Sequence, residues 1–233
     1  LLRDRPFVSR GLIAFFLFAS FGTLWSGLAL PLSDAPWHLN AAQIGSFGVA
    51  GLAGALGAAR AGRWADAGHT GRVAGGALVL LIASWPAIAS ASWSLWPLVI
   101  GVVALDFAVQ AVHVSNQHLL TAAKPDRTSS VIGGYMVFYS LGSAVGATAT
   151  TKAFAAAGWT GSSVLGAAFA ACALAVWALT RDAADTSRPP ASSRVGCRRR
   201  GATARVDTAH AFQPGQPCLW CRVSRRCTGG RPV

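Results

Sequence analysis

The sequence predicts an all-α integral membrane protein of six transmembrane helices, and three observations carry that prediction. Six apolar stretches fill the first 180 residues, at 11–32, 41–59, 73–91, 96–120, 131–150 and 159–179. A hydrocarbon core of about 30 Å takes roughly 20 helical residues to cross, so each stretch reads as one spanning helix. Hydrophobic residues make up 53% of the chain and charged residues 12%, which leaves too few polar side chains to wrap a soluble globule. The basic residues, finally, gather in alternate loops. The expected organisation is a cytoplasmic segment at 1–10, a six-helix body at 11–180 and a basic tail at 181–233.

Those loop charges orient the chain. Arg3, Arg5 and Arg10 precede helix one, Arg60, Arg63 and Arg72 lie between helices two and three, and Lys124 and Arg127 lie between four and five. The opposite loops hold only Lys152. By the positive-inside rule both termini face the cytoplasm of an inner (plasma) membrane, in keeping with an even number of spans. The first stretch follows basic residues, as the core of a signal peptide would. At about 22 residues it exceeds the usual 7–15, and five further spans follow, so it reads as a permanent helix. The chain begins with Leu rather than Met, as a piece lacking an upstream part would.

Helix one carries Ser20, Thr23 and Ser26 at three-residue spacing beside Gly22 and Gly27. This narrow polar strip either lines a water-filled cavity or lets helices pack closely while the hydroxyls bond backbone. Helix two has a glycine ridge at Gly45, Gly48, Gly51, Gly54 and Gly57, the kind of surface a neighbouring backbone can approach. Helix three holds Pro86 near its outer end, with Trp85, Trp93 and Trp96 expected as anchors at headgroup level. Helix five holds Gly133, Gly134, Gly142 and Gly146, a second G-x-x-x-G surface around Tyr135 and Tyr139. Helix six is uniformly Ala, Leu and Val with Cys172 and is expected to face lipid.

After Arg181 the character changes. The tail has Pro189-Pro190, the triplet Arg198-Arg199-Arg200, no hydrophobic periodicity and four of the five cysteines, and it is predicted disordered. Cys218-Leu-Trp-Cys221, with Cys197 and Cys227, supplies one closely spaced pair where a zinc ribbon needs two, so no metal site is expected. Translation in a shifted reading frame would also leave an end this unlike the body. The tail carries +8 of the net charge of +12 and the remainder lies in loops, a distribution that argues against a nucleic-acid partner.

Helix four is the polar one. Asp106, Gln110, His113 and Gln117 stand at offsets that fall, at 100° per residue, within an arc of roughly 60°. Ser115, Asn116 and His118 add polarity toward its cytoplasmic end. A charged side chain at mid-membrane costs at least about 2.5–3.5 kcal/mol, so this face must look at water or at polar partners. Asp106 can bind and release a proton, His113 two turns on can pass it, and the two glutamines can both donate and accept hydrogen bonds to a substrate of mixed polarity. The alternative is a row that glues helices together, each group satisfied by a neighbour. There is no Glu, the Asp residues of the helical body sit singly, and no H-E-x-x-H, G-x-S-x-G or P-loop pattern occurs, so neither an enzyme nor a cofactor is expected.

The run Asp106-Phe-Ala-Val-Gln110-Ala-Val-His113-Val-Ser115-Asn116-Gln117, followed by Arg127-Thr-Ser-Ser and Tyr135-Met136-x-x-Tyr139-x-x-Gly142-x-x-x-Gly146, resembles the C-terminal half of major facilitator superfamily efflux transporters. Gly62-Arg63-Trp64-Ala65-Asp66-Ala67-Gly68-His69, with Arg72 beyond it, resembles the superfamily's signature cytoplasmic loop. Ala67 stands where that loop usually has a basic residue, and six helices stand where the family has twelve. Across roughly 11–180 the resemblance implies two inverted three-helix repeats, in which the first helix of each repeat, here helices one and four, lines a cavity. It implies a secondary transporter coupling proton entry to efflux of a small drug, sugar or metabolite, rocking against an N-terminal half missing here. Asp106, Gln110, His113, Asn116 and Gln117, with Ser20 and Thr23, would then line the pathway. A non-transporting six-helix protein and an inactive truncated product are the competing readings; the bilayer and a small-molecule substrate are the expected partners.

Overall fold

The computed structural model describes residues 4–64 and 70–185, and the regular structure among them is helical. Helix α1 (Arg5–Gly27) opens on Pro6, whose fixed φ and missing N–H suit a first turn. It runs into α2 (Ala29–Ser33) through Leu28, itself helical at φ −57° and ψ −34°. The helix thus begins six residues before the apolar run that predicts it, and Arg10 sits inside the helix rather than ahead of it. At the start of α3 (Ala41–Trp64), Asn40 Oδ1 accepts from the Gln43 N–H at 3.0 Å and Gln43 Oε1 accepts from the Asn40 N–H at 2.9 Å, a reciprocal cap. Then come α4 (Thr70–Ala89), α5 (Leu95–Ala123) and α6 (Thr128–Asp185).

The 58 residues of α6 are two helices meeting at a break, with Ala157 at φ −146°, ψ 24° and Gly158 at φ 59°, ψ −156°. The second arm doubles back on the first, so that Ser162 Oγ donates to the Thr150 carbonyl at 3.1 Å. The Gly158 conformation is one that side-chain-bearing residues avoid, since a Cβ would crowd the carbonyl. Gly158→Ala is accordingly expected to destabilise the fold by about 1–3 kcal/mol, read as a lowered melting temperature in detergent. Unchanged melting would show that the break tolerates a side chain.

Four helical stretches are long and apolar enough to cross a membrane: Arg5–Ser33, Thr70–Ser92, Leu95–Ala123 and the broken stretch Pro125–Arg181. In α3 the apolar part, Ala41–Leu56, is shorter; its glycines add no side-chain area.

Small residues decide which helices touch. α1 runs parallel to the first arm of α6, with Gly11 against Phe138, Gly22 against Ser143 and Gly27 against Thr150. Gly142 and Gly146 press so closely on the Phe15 and Ala19 carbonyls that neither has room for a Cβ, a backbone-to-backbone seam. α4 runs antiparallel to the second arm: Gly75 meets Trp177, Gly166 meets Trp85, and the Trp159 indole donates to the Ile88 carbonyl at 2.9 Å. α5 returns against α4, with Gly101 on Ser84 and Ile88, and α3 crosses α5 at Gly51 and Gly54. Ile13, Leu17, Leu78, Leu81, Leu98 and Leu105 are fully buried within this bundle.

Two sequence expectations change here. The second arm of α6 is not wholly lipid-facing, since Trp159, Gly166, Ala170 and Ala173 are buried while Val164 and Leu179 are exposed. A uniform apolar composition hides its packing face because small size, not polarity, marks it. Trp93 and Trp96 are 86% and 79% exposed, as anchors would be, but Trp85 is 1% exposed and donates to Ser20 Oγ at 3.0 Å. Its indole N–H finds a protein acceptor and has no need of the headgroups.

Candidate functional site

The polar side of α5 faces α1, α3 and α6 inside the bundle. Asp106 is 6% exposed, at the point where α3 crosses: Gly51 and Gly54 flank its side chain, and a Cβ on Gly51 would lie 3.2 Å from Oδ2. Trp25 of α1 stands beside the carboxylate, yet its Nε1 and Asp106 Oδ2 are both buried without closing a hydrogen bond. Glycine at 51 and 54 is what lets α3 come this near, and larger residues there would push the helix off the acid. A partly satisfied buried carboxylate is costly unless a proton or a further partner completes it.

Two turns on, half-buried His113 lies with Nδ1 3.1 Å from the Tyr135 hydroxyl on α6. Phe18 of α1 packs edge-on against His113 at 5.1 Å between centroids and against Tyr139 at 4.1 Å. Below this aromatic group, Arg10 Nη1 donates to Asn116 Oδ1 at 3.4 Å. Asn116 is fully buried, and its Nδ2 and the Ser115 hydroxyl have no partner. At the very end of the bundle the Lys124 ammonium pairs with Asp4, tying the last turn of α5 to the start of α1.

The residues singled out by sequence therefore fall into separate places. Asp106 belongs to the α1–α3–α5 junction, whereas His113 and Asn116 belong to a second polar group with Arg10 and Tyr135; among the described residues no hydrogen bond joins the two. Gln110 and Gln117 are half-buried beside them. Ser20 and Thr23 are fully buried: Ser20 Oγ donates to the Gly166 carbonyl at 2.9 Å, and Thr23 Oγ1 donates to the Ala19 carbonyl of its own helix, also at 2.9 Å. Their hydroxyls serve helix packing in this arrangement, while Ser26 is exposed. Gly62 and Arg63 lie near the end of α3 and exposed Arg72 near the start of α4, while Asp66 and Gly68 lie outside the described residues. So do Arg3 and the tail with Cys197, Cys218, Cys221 and Cys227. No three His, Cys or Asp side chains converge on a metal position among the described residues.

Two members of the second group are absent from the sequence-based set. Tyr135 is fully buried and makes the hydrogen bond that orients His113. The available signal was a phenol one turn before Tyr139, on the same helix as Gly142 and Gly146. Arg10 counts as a loop charge only while the helix is taken to start at Gly11.

The sequence profile of the Major Facilitator Superfamily matches residues 11–222. Two curated proteins are similar over most of the chain. A putative uncharacterized transporter, YgaY of Escherichia coli strain K12, is 38% identical over 176 residues, covering 76% of this chain and 45% of its own length. The uncharacterized transporter YgaY of Escherichia coli O157:H7 is 38% identical over 169 residues, covering 72% and 43%. The chain thus spans rather under half the length of the curated relatives it matches. No solved structure matches it.

Proposed function

Because this chain belongs to the major facilitator superfamily, whose members are multi-pass helical membrane transporters and not enzymes, we propose that it forms the C-terminal half of a secondary transporter. In this reading α1 with α2, α3, α4, α5 and the two arms of α6 are the six spans, in two inverted three-helix repeats. Both termini face the cytoplasm across an inner membrane. The second half, carried by a further six helices, supplies the opposite wall, and rocking of one half against the other moves a small organic molecule outward as a proton enters.

The observation that carries this reading is Asp106. It is the one buried acid among the described residues, held between α1, α3 and α5 with one carboxylate oxygen unpartnered. A proton can be gained and lost there without breaking an existing hydrogen bond. An isolated acid at bilayer depth is costly enough that a functional role is the first reading of it. His113, Asn116, Gln110 and Gln117 extend the polar path toward the cytoplasmic end.

Reconstitution tests the reading. In vesicles with an imposed pH gradient, the chain alone is expected to give no substrate-dependent proton flux, because a single wall leaves polar groups without cover. The same chain joined to a matching six-helix N-terminal half is expected to give flux. Robust flux from the purified chain alone would overturn the half-transporter reading.

A further inference from the structure

Where α1, α5 and the first arm of α6 meet, the side chains of Arg10, Asn116, Tyr135 and His113 gather more hydrogen-bond donors than the acceptors among them can satisfy. Among the described residues Arg10 has one hydrogen bond, the long 3.4 Å contact to Asn116 Oδ1, which leaves most of its five N–H groups unused there. Among the described residues no carboxylate pairs with it, since Asp4, its nearest acid in sequence, is taken by Lys124. The Asn116 side chain is completely buried, and its Nδ2 faces the Tyr135 phenol without closing a hydrogen bond among the described residues. Tyr135, also completely buried, has Arg10 and Asn116 as polar neighbours besides His113. In the Nδ1–H tautomer His113 donates to the phenol oxygen, and the phenol proton is then free for a ligand.

A buried donor left unmade costs about 1–3 kcal/mol, and a guanidinium inside a span calls for a counter-charge. Both conditions are met by one occupant. We propose that this cluster binds the carboxylate of a small organic anion, with Arg10 supplying charge-assisted bonds and Asn116 Nδ2 and the Tyr135 hydroxyl completing its coordination. Phe18 and Tyr139, whose rings pack on each other and on His113, supply an aromatic wall beside the group for the body of such a molecule. That wall favours an organic acid over inorganic phosphate. The inference rests on the transporter reading and gives its pathway a substrate class.

The test is isothermal titration of the purified full chain in neutral detergent with benzoate, neutral benzamide and inorganic phosphate. Benzoate is expected to bind about tenfold or more tightly than either of the others, the margin expected for one charge-assisted contact. Arg10→Gln should weaken benzoate by a similar factor. Since that variant can also fold poorly, Asn116→Asp provides the discriminating measurement: a carboxylate placed against Arg10 should raise the melting temperature and abolish benzoate binding together. Equal binding of benzamide, or full benzoate affinity in Asn116→Asp, would overturn the proposal. So would displacement of benzoate by phosphatidylglycerol, which would assign Arg10 to a lipid headgroup. Transport assays on the joined halves separate the two readings. Proton-coupled flux of a neutral or cationic compound without benzoate binding removes the anion site and leaves the transporter, whereas benzoate binding without any flux does the reverse.

Discussion

Gly146→Leu is expected to prevent the helical body from reaching its folded state. The glycine lies against the Ala19 carbonyl of α1 with no room even for a Cβ, and Gly142 lies equally close to the Phe15 carbonyl one turn away. The obstacle is backbone on both sides, so no rotamer change relieves it, and the helices must separate along the whole seam. Overpacking a close contact costs about 1–3 kcal/mol when side chains can adjust, and more when they cannot. Where total stability is about 5–15 kcal/mol, a cost above that side-chain range, as a backbone obstacle imposes, leaves much of the protein unfolded or aggregated in detergent. Gly133→Leu is the matched control, since nothing lies within 4 Å of that position. Size-exclusion profiles should separate the two; similar behaviour would mean that the α1–α6 seam does not govern stability.

The second large effect concerns coupling. If Asp106 carries the proton, Asp106→Asn in the two-half transporter should abolish accumulation driven by a pH gradient, a loss of at least about a hundredfold, in line with what removing an essential proton carrier costs. Expression and energy-independent exchange of substrate should survive, because the amide keeps the size of the side chain and still bonds to its surroundings. If the carboxylate only holds α1, α3 and α5 together, Asn should behave nearly normally in both assays while Asp106→Leu lowers stability. Undiminished coupled transport by Asp106→Asn would reject the carrier role and move attention to His113.

The helical membrane architecture was legible because bilayer thickness writes itself into sequence as run length, and among the described residues the interruptions at 34–40, 93–94, 124–127 and 157–158 fall between apolar runs. The glycine spacing at Gly142 and Gly146 likewise pointed to a contact surface, since few side-chain chemistries other than absence allow two backbones to touch. What the runs could not convey was partnership. Trp85 looks like Trp93 and Trp96 in composition and neighbourhood, and only the arrival of Ser20 from another helix distinguishes it. The row on α5 could be placed on one face by arithmetic alone. Its division into an Asp106 junction and an Arg10–Asn116–Tyr135–His113 group depends on α3 crossing above and α6 packing below. Arg10 was misplaced for a different reason: a helix can start before its hydrophobicity does, and α1 begins at Arg5, ahead of the apolar run.

The pairing of α1 with α6 bears on biosynthesis. Within this chain a ribosome delivers α1 well before the second arm of α6, yet the Ser20 hydroxyl donates a hydrogen bond to the Gly166 carbonyl, 146 positions further along. Until that carbonyl emerges, the hydroxyl and the indole of Trp85 bonded to it have no native setting, and the grooves at Gly11, Gly22 and Gly27 lie open. Assembly therefore cannot proceed span by span in the order of translation. Helix α1 has to be held, by lipid or by the insertion machinery, until the α6 hairpin enters and closes over it.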